Sequence, residues 1–141
     1  MKLRKKLNQE GLRLTRPRRV IMAILENAAI PLSPQTIQRR ALDAHQDISL
    51  VSVYRTIDLL TELELVRRVH GNDGCQGYVL CSPGHHHHLI CQSCGKTVEF
   101  RGSEDLGNLI DVIQGQTGFQ VEGHLLQLFG RCPECQKVVE K

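Results

Sequence analysis

Two pairs of closely spaced cysteines constrain the fold of this chain more than any other feature. Cys91 and Cys94 form one CxxC pair, Cys132 and Cys135 form another, and 37 residues separate the two pairs. A CxxC turn presents two sulfur atoms to one ion, and tetrahedral zinc accepts four such donors at about 2.3 Å. The spacing therefore predicts a structural zinc site with four cysteine ligands. A redox-active thiol pair is the alternative, but no thioredoxin-like βαβ pattern accompanies these cysteines.

The small size of the C-terminal unit explains why it needs the metal. A unit of about 55 residues obtains only about 3–5 kcal/mol from its own core. A structural zinc site contributes on the order of 10 kcal/mol or more, coupled to folding. Four protein ligands leave no open position on the ion, so the predicted role is structural and not catalytic. A small unit also gains stability by burying a shared face, which favours a homodimer.

The N-terminal half has the pattern of a winged helix-turn-helix domain. Four helices are predicted from apolar residues at helical spacing, and N-cap residues precede the last three. These N-caps are Thr15, Ser33 and Ser49; Pro31 is expected to close the helix after Thr15, and Leu42 to face inward in the next. From residue 66 the period changes to two, and a turn at residues 71–74 separates two strands.

The C-terminal half reads as a small mixed unit. Strands are predicted at residues 89–90 and 97–100, a helix from about 104 to 114, and a closing strand at 125–129. The predicted fold class is therefore α+β: a winged helix-turn-helix domain (1–81), a hinge (82–88), and a small α/β dimerisation domain with the four-cysteine zinc site (89–141).

Charge is distributed unevenly along the chain. The net charge is +3, from 18 Lys and Arg against 15 Asp and Glu, but the first 19 residues carry +7 and the remainder −4. A basic arm on an acidic body suggests a polyanionic partner, with a solvated tail as the alternative. No apolar stretch approaches the roughly 20 residues that span a bilayer. No signal-peptide h-region follows the N-terminal charges, so a soluble, cytoplasmic protein is expected.

A second set of metal-binding residue types lies outside the cysteine pairs. Residues 85–88 are four consecutive histidines, and side chains alternate in an extended segment. His86 and His88 should therefore face one side and His85 and His87 the other, which makes two separate sites possible. A solvated polar linker is the alternative. The remaining candidate donors are His70, Cys81, Glu99 and His124, whereas Cys75 has no evident partner.

Taken in order, these motifs resemble the Fur (ferric uptake regulator) family of metal-responsive bacterial repressors. The matching stretches are Gly-Leu-Arg-Leu-Thr-x-Pro-Arg at residues 11–18, Val-Tyr-Arg-Thr at 53–56, residues 85–91, and the two cysteine pairs. The resemblance implies an N-terminal winged-helix DNA-binding domain, a C-terminal dimerisation domain and a metal sensor between them. An enzyme is not expected, since the chain has no HExxH or similar arrangement.

The resemblance is greatest to the zinc uptake regulator (Zur) subgroup, some members of which use a cysteine at the position of Cys81. A regulatory site with four ligands at a time is expected among His70, Cys81, His86, His88 and Glu99. A thiolate with imidazoles and one carboxylate suits Zn²⁺. Iron and peroxide sensors of the family usually supply a histidine where this chain has Pro31. A sensor of iron (Fe²⁺), manganese (Mn²⁺), nickel or peroxide is the alternative.

Two family positions differ in this chain. Other zinc-sensing members have an aspartate ligand at the position of Arg67, so His70 is expected to take its place. A third family site uses an acidic residue where this chain has Leu106, and neighbouring acids are expected to compensate. The candidates for this third site are His85, His87, His124, Glu104 and Asp105.

The helix predicted at residues 50–63 is the one that a helix-turn-helix inserts in the major groove. Arginine pairs with guanine, tyrosine packs on a thymine methyl group, and other basic residues neutralise phosphates. For Tyr54, packing against the wing is the alternative. The expected partner is a palindromic, AT-rich operator of metal uptake genes, repressed by a zinc-dependent homodimer. The candidate DNA contacts are Arg13, Arg18, Arg19, Ser52, Tyr54 and Arg55.

Overall fold

The computed structural model describes residues 2–70, 76–82, 86–101, 106–124 and 126–139. Within these ranges the chain forms six helices and five strands. In chain order they are α1 (Lys2–Gln9), α2 (Arg16–Glu26), α3 (Pro34–Asp43), α4 (Leu50–Glu62), β1 (Val66–His70), β2 (Gln76–Leu80), β3 (His86–Cys91), β4 (Thr97–Arg101), α5 (Leu106–Thr117), β5 (Gln127–Gly130) and α6 (Pro133–Val139). The predicted turn at residues 71–74, Cys75, His85, Glu104 and Asp105 lie outside the described residues.

The three predicted N-caps are present. The side-chain oxygens of Ser33 and Ser49 each accept a hydrogen bond from the backbone N–H three residues later, at 3.1 Å, and Thr15 does so at 3.5 Å. Each cap satisfies one of the N–H groups that a helix leaves unpaired at its start. The prediction that Pro31 closes α2 is wrong. The helix ends at Glu26, because Asn27 caps it and its side chain donates to the Ala23 carbonyl at 2.9 Å.

Helices α1 to α4 pack around one apolar core. Its members are buried at helical spacing and include Leu7, Ile21, Ile37, Val53 and Leu60, each fully or almost fully buried. Met22 also belongs to this core, although it was not predicted there. The prediction for Leu42 is wrong: its side chain is 52% exposed. Leu42 lies five residues after Ile37, which turns it about 140° from the buried face of α3.

The β1–β2 hairpin packs against these helices as the wing. The two strands are antiparallel, with Val66 opposite Leu80 and His70 opposite Gln76. Val66 and Val69 are 3% and 1% exposed, and Val66 belongs to the core of the helices. Helices α1 to α4 with strands β1 and β2 therefore form the winged helix-turn-helix that the sequence predicted.

Gly77 is required where β2 passes the segment before α3. Leu32 and Tyr78 exchange two backbone hydrogen bonds there, at 3.1 and 2.8 Å. A Cβ atom at Gly77 would lie 2.6 Å from the Cβ of Pro31. Only a residue without a side chain permits this approach.

The second unit is a three-stranded sheet with two helices. The strand order is β4-β3-β5; β3 pairs antiparallel with β4 and parallel with β5, and α5 connects β4 to β5. The overall class is α+β, as predicted. Helix α6 was not predicted, and the closing strand begins at Gln127. Strand β3 begins at His86, so part of the segment predicted as a hinge is strand.

Helix α5 leaves its apolar side chains uncovered within the described chain. Leu109, Val112 and Ile113 are 54%, 55% and 40% exposed, and none of the residues of α5 is buried. Among the helices described, none has both the length and the apolar content to cross a membrane.

Candidate functional site

The four cysteines of the two CxxC pairs come together. Their sulfur atoms all lie within 4.8 Å of one another, and the Sγ atoms of Cys94 and Cys132 are 3.7 Å apart. The parallel pairing of β3 with β5 explains this, since the first pair begins at the last residue of β3 and the second pair begins two residues after β5. Gly95, with a φ of 80°, closes the turn of the first pair. The arrangement fits a tetrahedral zinc ion.

Hydrogen bonding shifts the pKa values of these thiols in different directions. Backbone N–H groups, chiefly that of Cys132 at 3.3 Å, lower the pKa of Cys91 to about 5. The hydrogen bond with the Cys132 sulfur, followed by burial, raises the pKa of Cys135 to about 12. Four sulfurs this close cannot all ionise without a compensating charge. A divalent cation supplies that charge, so metal binding and ionisation of the thiols are coupled.

A second group of donors lies between the winged-helix unit and the sheet. Three residues, Cys81, His88 and Glu99, each contribute one ligand atom, and these three atoms lie within 4.8 Å of one another. Cys81 follows β2 directly, whereas His88 and Glu99 are opposite each other on β3 and β4. The structure thus combines three of the five residues predicted for the regulatory metal. They contribute a thiol, an imidazole and a carboxylate.

Burial keeps the first two donors uncharged. It raises the pKa of Cys81 to about 11 and lowers the pKa of His88. His88 is 2% exposed, and apart from an interaction with the Leu80 backbone its ring nitrogens have no hydrogen-bond partner among the described residues. A neutral imidazole is the form that binds a metal. Because buried polar atoms without partners are costly, these nitrogens indicate a ligand for this site.

Two neighbours of this site were not predicted as site residues. Ser82 fixes the carboxylate of Glu99, since its backbone N–H donates to Oε1 at 2.8 Å and its hydroxyl donates to Oε2 at 2.7 Å. Arg67 donates from Nη1 to the His86 carbonyl at 2.8 Å. The charge of Arg67 offsets part of the rise that burial causes in the pKa of Cys81, and it adds to the lowering of the pKa of His88. No motif in the sequence marks either contact, because both depend on the pairing of distant segments.

A cavity of about 140 Å³ adjoins this second group. Its walls include His88 and Glu99 from the sheet, and Glu26, Ala29 and Tyr78 from the winged-helix unit. Glu26, at the end of α2, was likewise not predicted as a site residue. The cavity offers space for ordered water beside the three donors.

The other two described candidates for the regulatory metal are His86 and His70. His86 is two residues before His88 on β3, and its Nδ1 is buried without a hydrogen-bond partner among the described residues. His70 is exposed at the end of β1, and its backbone is hydrogen-bonded to Gln127. Neither belongs to the group of three donors.

Neighbouring side chains of the histidine run, of which residues 86–88 are described, have different surroundings. His87 packs against Phe100 and His124, with ring centroids 5.6 and 5.4 Å apart. Its surroundings therefore differ from those of His88. The structure brings together two of the residues predicted for the third site, and His85, Glu104 and Asp105 lie outside the described residues.

Helix α4 exposes the residues predicted to contact DNA. Tyr54 is 42% exposed, and its hydroxyl accepts a hydrogen bond from Gln35 at 3.3 Å. Arg55 is exposed, and Ser52, near the start of the helix, is half-buried. The tyrosine that packs against the core from the wing is Tyr78, not Tyr54.

The basic N-terminal residues lie beside this helix-turn-helix. Arg13 and Arg19 are exposed, and Arg18 donates to the Arg13 carbonyl at 2.6 Å. Arg16 contacts the loop before α4, through Gln46 at 3.0 Å and the Asp47 carbonyl at 3.2 Å.

A family model described as the ferric uptake regulator family matches residues 9–129. The chain belongs to this family. The ferric uptake regulation protein of Campylobacter jejuni is 32% identical over 136 residues, which cover 95% of this chain and 86% of that protein. The ferric uptake regulation protein of Synechococcus elongatus is 34% identical over 138 residues, which cover 96% of this chain and 93% of that protein.

Solved structures of the ferric uptake regulator family have the same fold. A zinc-bound manganese uptake regulator matches with a TM-score of 0.62 and 32% identity, covering 92% of this chain and 98% of that one. A zinc uptake regulator complexed with zinc and DNA matches with a TM-score of 0.78, and the match covers 99% of this chain and 94% of that one. At 23% identity the latter is evidence for the fold alone.

Ferric uptake regulator family proteins are dimeric, metal-responsive, DNA-binding transcription regulators and not enzymes, so the predicted class of function is confirmed. The relatives are named for iron, manganese and zinc. The choice of metal therefore depends on the ligands of this chain.

Proposed function

We propose that this chain is a zinc-responsive repressor of metal uptake genes. The observation that carries the proposal is the group of Cys81, His88 and Glu99, in which His88 is buried and the other two are half-buried. A thiolate is a soft ligand that favours zinc over the harder Mn²⁺ and Fe²⁺ ions. The three donors come from both sides of the junction between the predicted DNA-binding and dimerisation domains, so a shared ion would connect the two.

A tetrahedral ion needs a fourth ligand. The predicted candidates are His86 and His70. His86 is favoured because it shares one face of β3 with His88 and has a buried ring nitrogen without a described partner. His70 would have to turn inward from an exposed position. Sensing of iron or manganese is the alternative, supported by the names of several relatives.

In the proposed mechanism, the residues at the junction fix the angle between the two domains. Residues 1–81 would bind DNA, the segment between Cys81 and β3 would act as the hinge, and the chain from β3 onward would dimerise and hold the structural zinc. When bound, zinc would supply one charge centre common to both domains. Fixing their angle in each protomer fixes the spacing of the two α4 helices on an operator. By linkage, operator binding then tightens metal binding by the same factor.

The DNA-bound state would use the residues exposed on and near α4. Arg55 and Tyr54 would contact bases, and the basic N-terminal segment would contact phosphates of a palindromic, AT-rich operator. A further metal site at His87 and His124, completed by His85 and by Glu104 or Asp105, is part of the proposal. The exposed apolar side chains of α5 fit the predicted dimer interface.

The test is a zinc titration of operator binding with the Cys81→Ser variant. Binding to a labelled duplex is followed by fluorescence anisotropy, in protein that retains one zinc ion in the four-cysteine site. We expect added zinc to raise the operator affinity of the parent by about 5–150-fold, the usual range of such coupling. Cys81→Ser should lose this increase and keep its dimeric fold. The matched control is Cys75→Ser, for which no ligand role is predicted.

Two results would contradict the proposal. One is an undiminished zinc response in Cys81→Ser, which would exclude the thiolate as a regulatory ligand. The other is an equal or larger response of the parent to Fe²⁺ or Mn²⁺ than to zinc, which would support the alternative sensors.

A further inference from the structure

One row of side chains on the sheet contacts the wing. Glu99, His88 and Gln127 are register partners across β4, β3 and β5. Side chains directly opposite one another on neighbouring strands point to the same face of a sheet. Glu99 contacts Ser82, just after β2, and Gln127 contacts His70 at the far end of β1. The row therefore holds the hairpin near both of its ends, with His88 in the middle.

The contact between Gln127 and His70 is a double hydrogen bond. The Nε2 of Gln127 donates to the His70 carbonyl at 2.8 Å, and the His70 N–H donates to Oε1 of Gln127 at 3.2 Å. A neighbouring strand would pair with the edge of β1 in the same way, with one backbone N–H as donor and one carbonyl as acceptor. An amide side chain can take that place because it carries a donor and an acceptor together.

The position of His70 extends the effect of this contact to the whole winged-helix unit. Strand β1 is anchored in that unit through Val66, which is 3% exposed and belongs to the core of the helices. Holding the last residue of β1 therefore holds the hairpin and the helices packed on it. On the sheet side, Gln127 is the neighbour of His88, a candidate metal ligand. A change in the position of His88 is thus transmitted to the wing through one pair of strands.

We propose that Gln127 is a positioning residue that couples the candidate regulatory metal site to the orientation of the wing. This inference rests on the proposed function, because it assumes that metal binding controls DNA binding. It assigns to Gln127 no contact with metal or DNA. Its role is to transmit a displacement of His88 and Glu99 to the wing, through its hydrogen bonds with His70.

The experiment measures operator affinity with and without added zinc in Gln127→Met and Gln127→Glu. Methionine keeps the length of the side chain and removes both hydrogen bonds, whereas glutamate keeps the acceptor and loses the donor. We expect the zinc-induced increase in operator affinity to fall about threefold to tenfold in Gln127→Met, the loss expected for two exposed hydrogen bonds. Gln127→Glu should show a smaller decrease. Zinc affinity without DNA should stay within twofold of the parent.

The matched control is Gln114→Met. The amide of Gln114 accepts a hydrogen bond from the Val121 backbone at 2.9 Å, a contact inside the second unit. Its loss should leave the zinc response unchanged. A merely structural role of Gln127 predicts a different result: operator affinity would fall equally with and without zinc. That outcome, or no change in either state, would overturn the proposal.

Hydrogen exchange at the His70 amide separates this inference from the proposed function. Removal of the Gln127 acceptor should accelerate exchange of this amide about threefold to tenfold in Gln127→Met, whether or not zinc regulates DNA binding. An unchanged exchange rate would show that the contact is absent in solution and would overturn the proposal. If the parent itself shows no zinc response, the proposed function fails, and the coupling role of Gln127 fails with it even where the exchange result confirms the contact.

Discussion

Ser82→Ala tests whether the environment of Glu99 sets the affinity of the candidate regulatory site. The substitution removes the hydroxyl that donates to Oε2 at 2.7 Å and leaves the backbone N–H that donates to Oε1 at 2.8 Å. Loss of a hydrogen bond to a ligating carboxylate costs about 10–100-fold in metal affinity. Because one of the two bonds remains, we expect the lower end, about tenfold or about 1.4 kcal/mol.

The assay is competition for zinc with a chromophoric chelator, in protein whose four-cysteine site is already filled. Ser82→Thr keeps a hydroxyl and should retain most of the affinity. The sharper control is the double variant with Glu99→Gln. A neutral amide gains less from the hydroxyl of Ser82 than a carboxylate does, so the effect of Ser82→Ala should shrink in that background. An effect below twofold in the parent, or one of full size in the Glu99→Gln background, would refute the reasoning.

Three further predictions concern stability and metal removal. Gly77→Ala should destabilise the protein by about 1–3 kcal/mol in urea unfolding, because its Cβ would meet Pro31 at 2.6 Å. Gly107→Ala, on α5 with open space around it, should instead stabilise the protein by roughly 0.5–1 kcal/mol. Ile37→Ala should cost about 2–5 kcal/mol and Leu42→Ala under about 0.5 kcal/mol, since only the first is buried. Chelation of the metal expected in the four-cysteine site should abolish amide protection in β3 to β5 and preserve it in α2 to α4; equal loss in both units would contradict the independent core of the winged-helix unit.

Local rules made much of the winged-helix unit predictable. An N-cap residue and apolar residues every three or four positions are properties of short segments, and they placed α2, α3 and α4; α2 and α3 also have a proline in the first turn. The errors arose where two local signals competed. Asn27 ended α2 before Pro31 could, and Leu42 is apolar but lies off the face that Ile37 and Ala41 define.

The four-cysteine site was predictable because each CxxC pair carries its own geometry. The second site was only partly predictable, since Cys81, His88 and Glu99 meet through strand register. Contacts such as that of Ser82 with Glu99 have no signature in the sequence. They depend on which segments the fold places side by side.

Strand β3 carries residues of both candidate metal sites, His88 of one and Cys91 of the other. Slipping a strand by one residue exchanges its two faces. In β3 such a slip would put His87 or Leu89 opposite Glu99 in place of His88. Consecutive histidines do little to prevent the slip, because each side chain is replaced by one of the same chemistry. Cys91 lies three residues beyond His88, and an ion shared with the other three cysteines would hold Cys91 and so fix the register. In the proposed function, the structural ion would therefore determine which histidine faces Cys81 and Glu99.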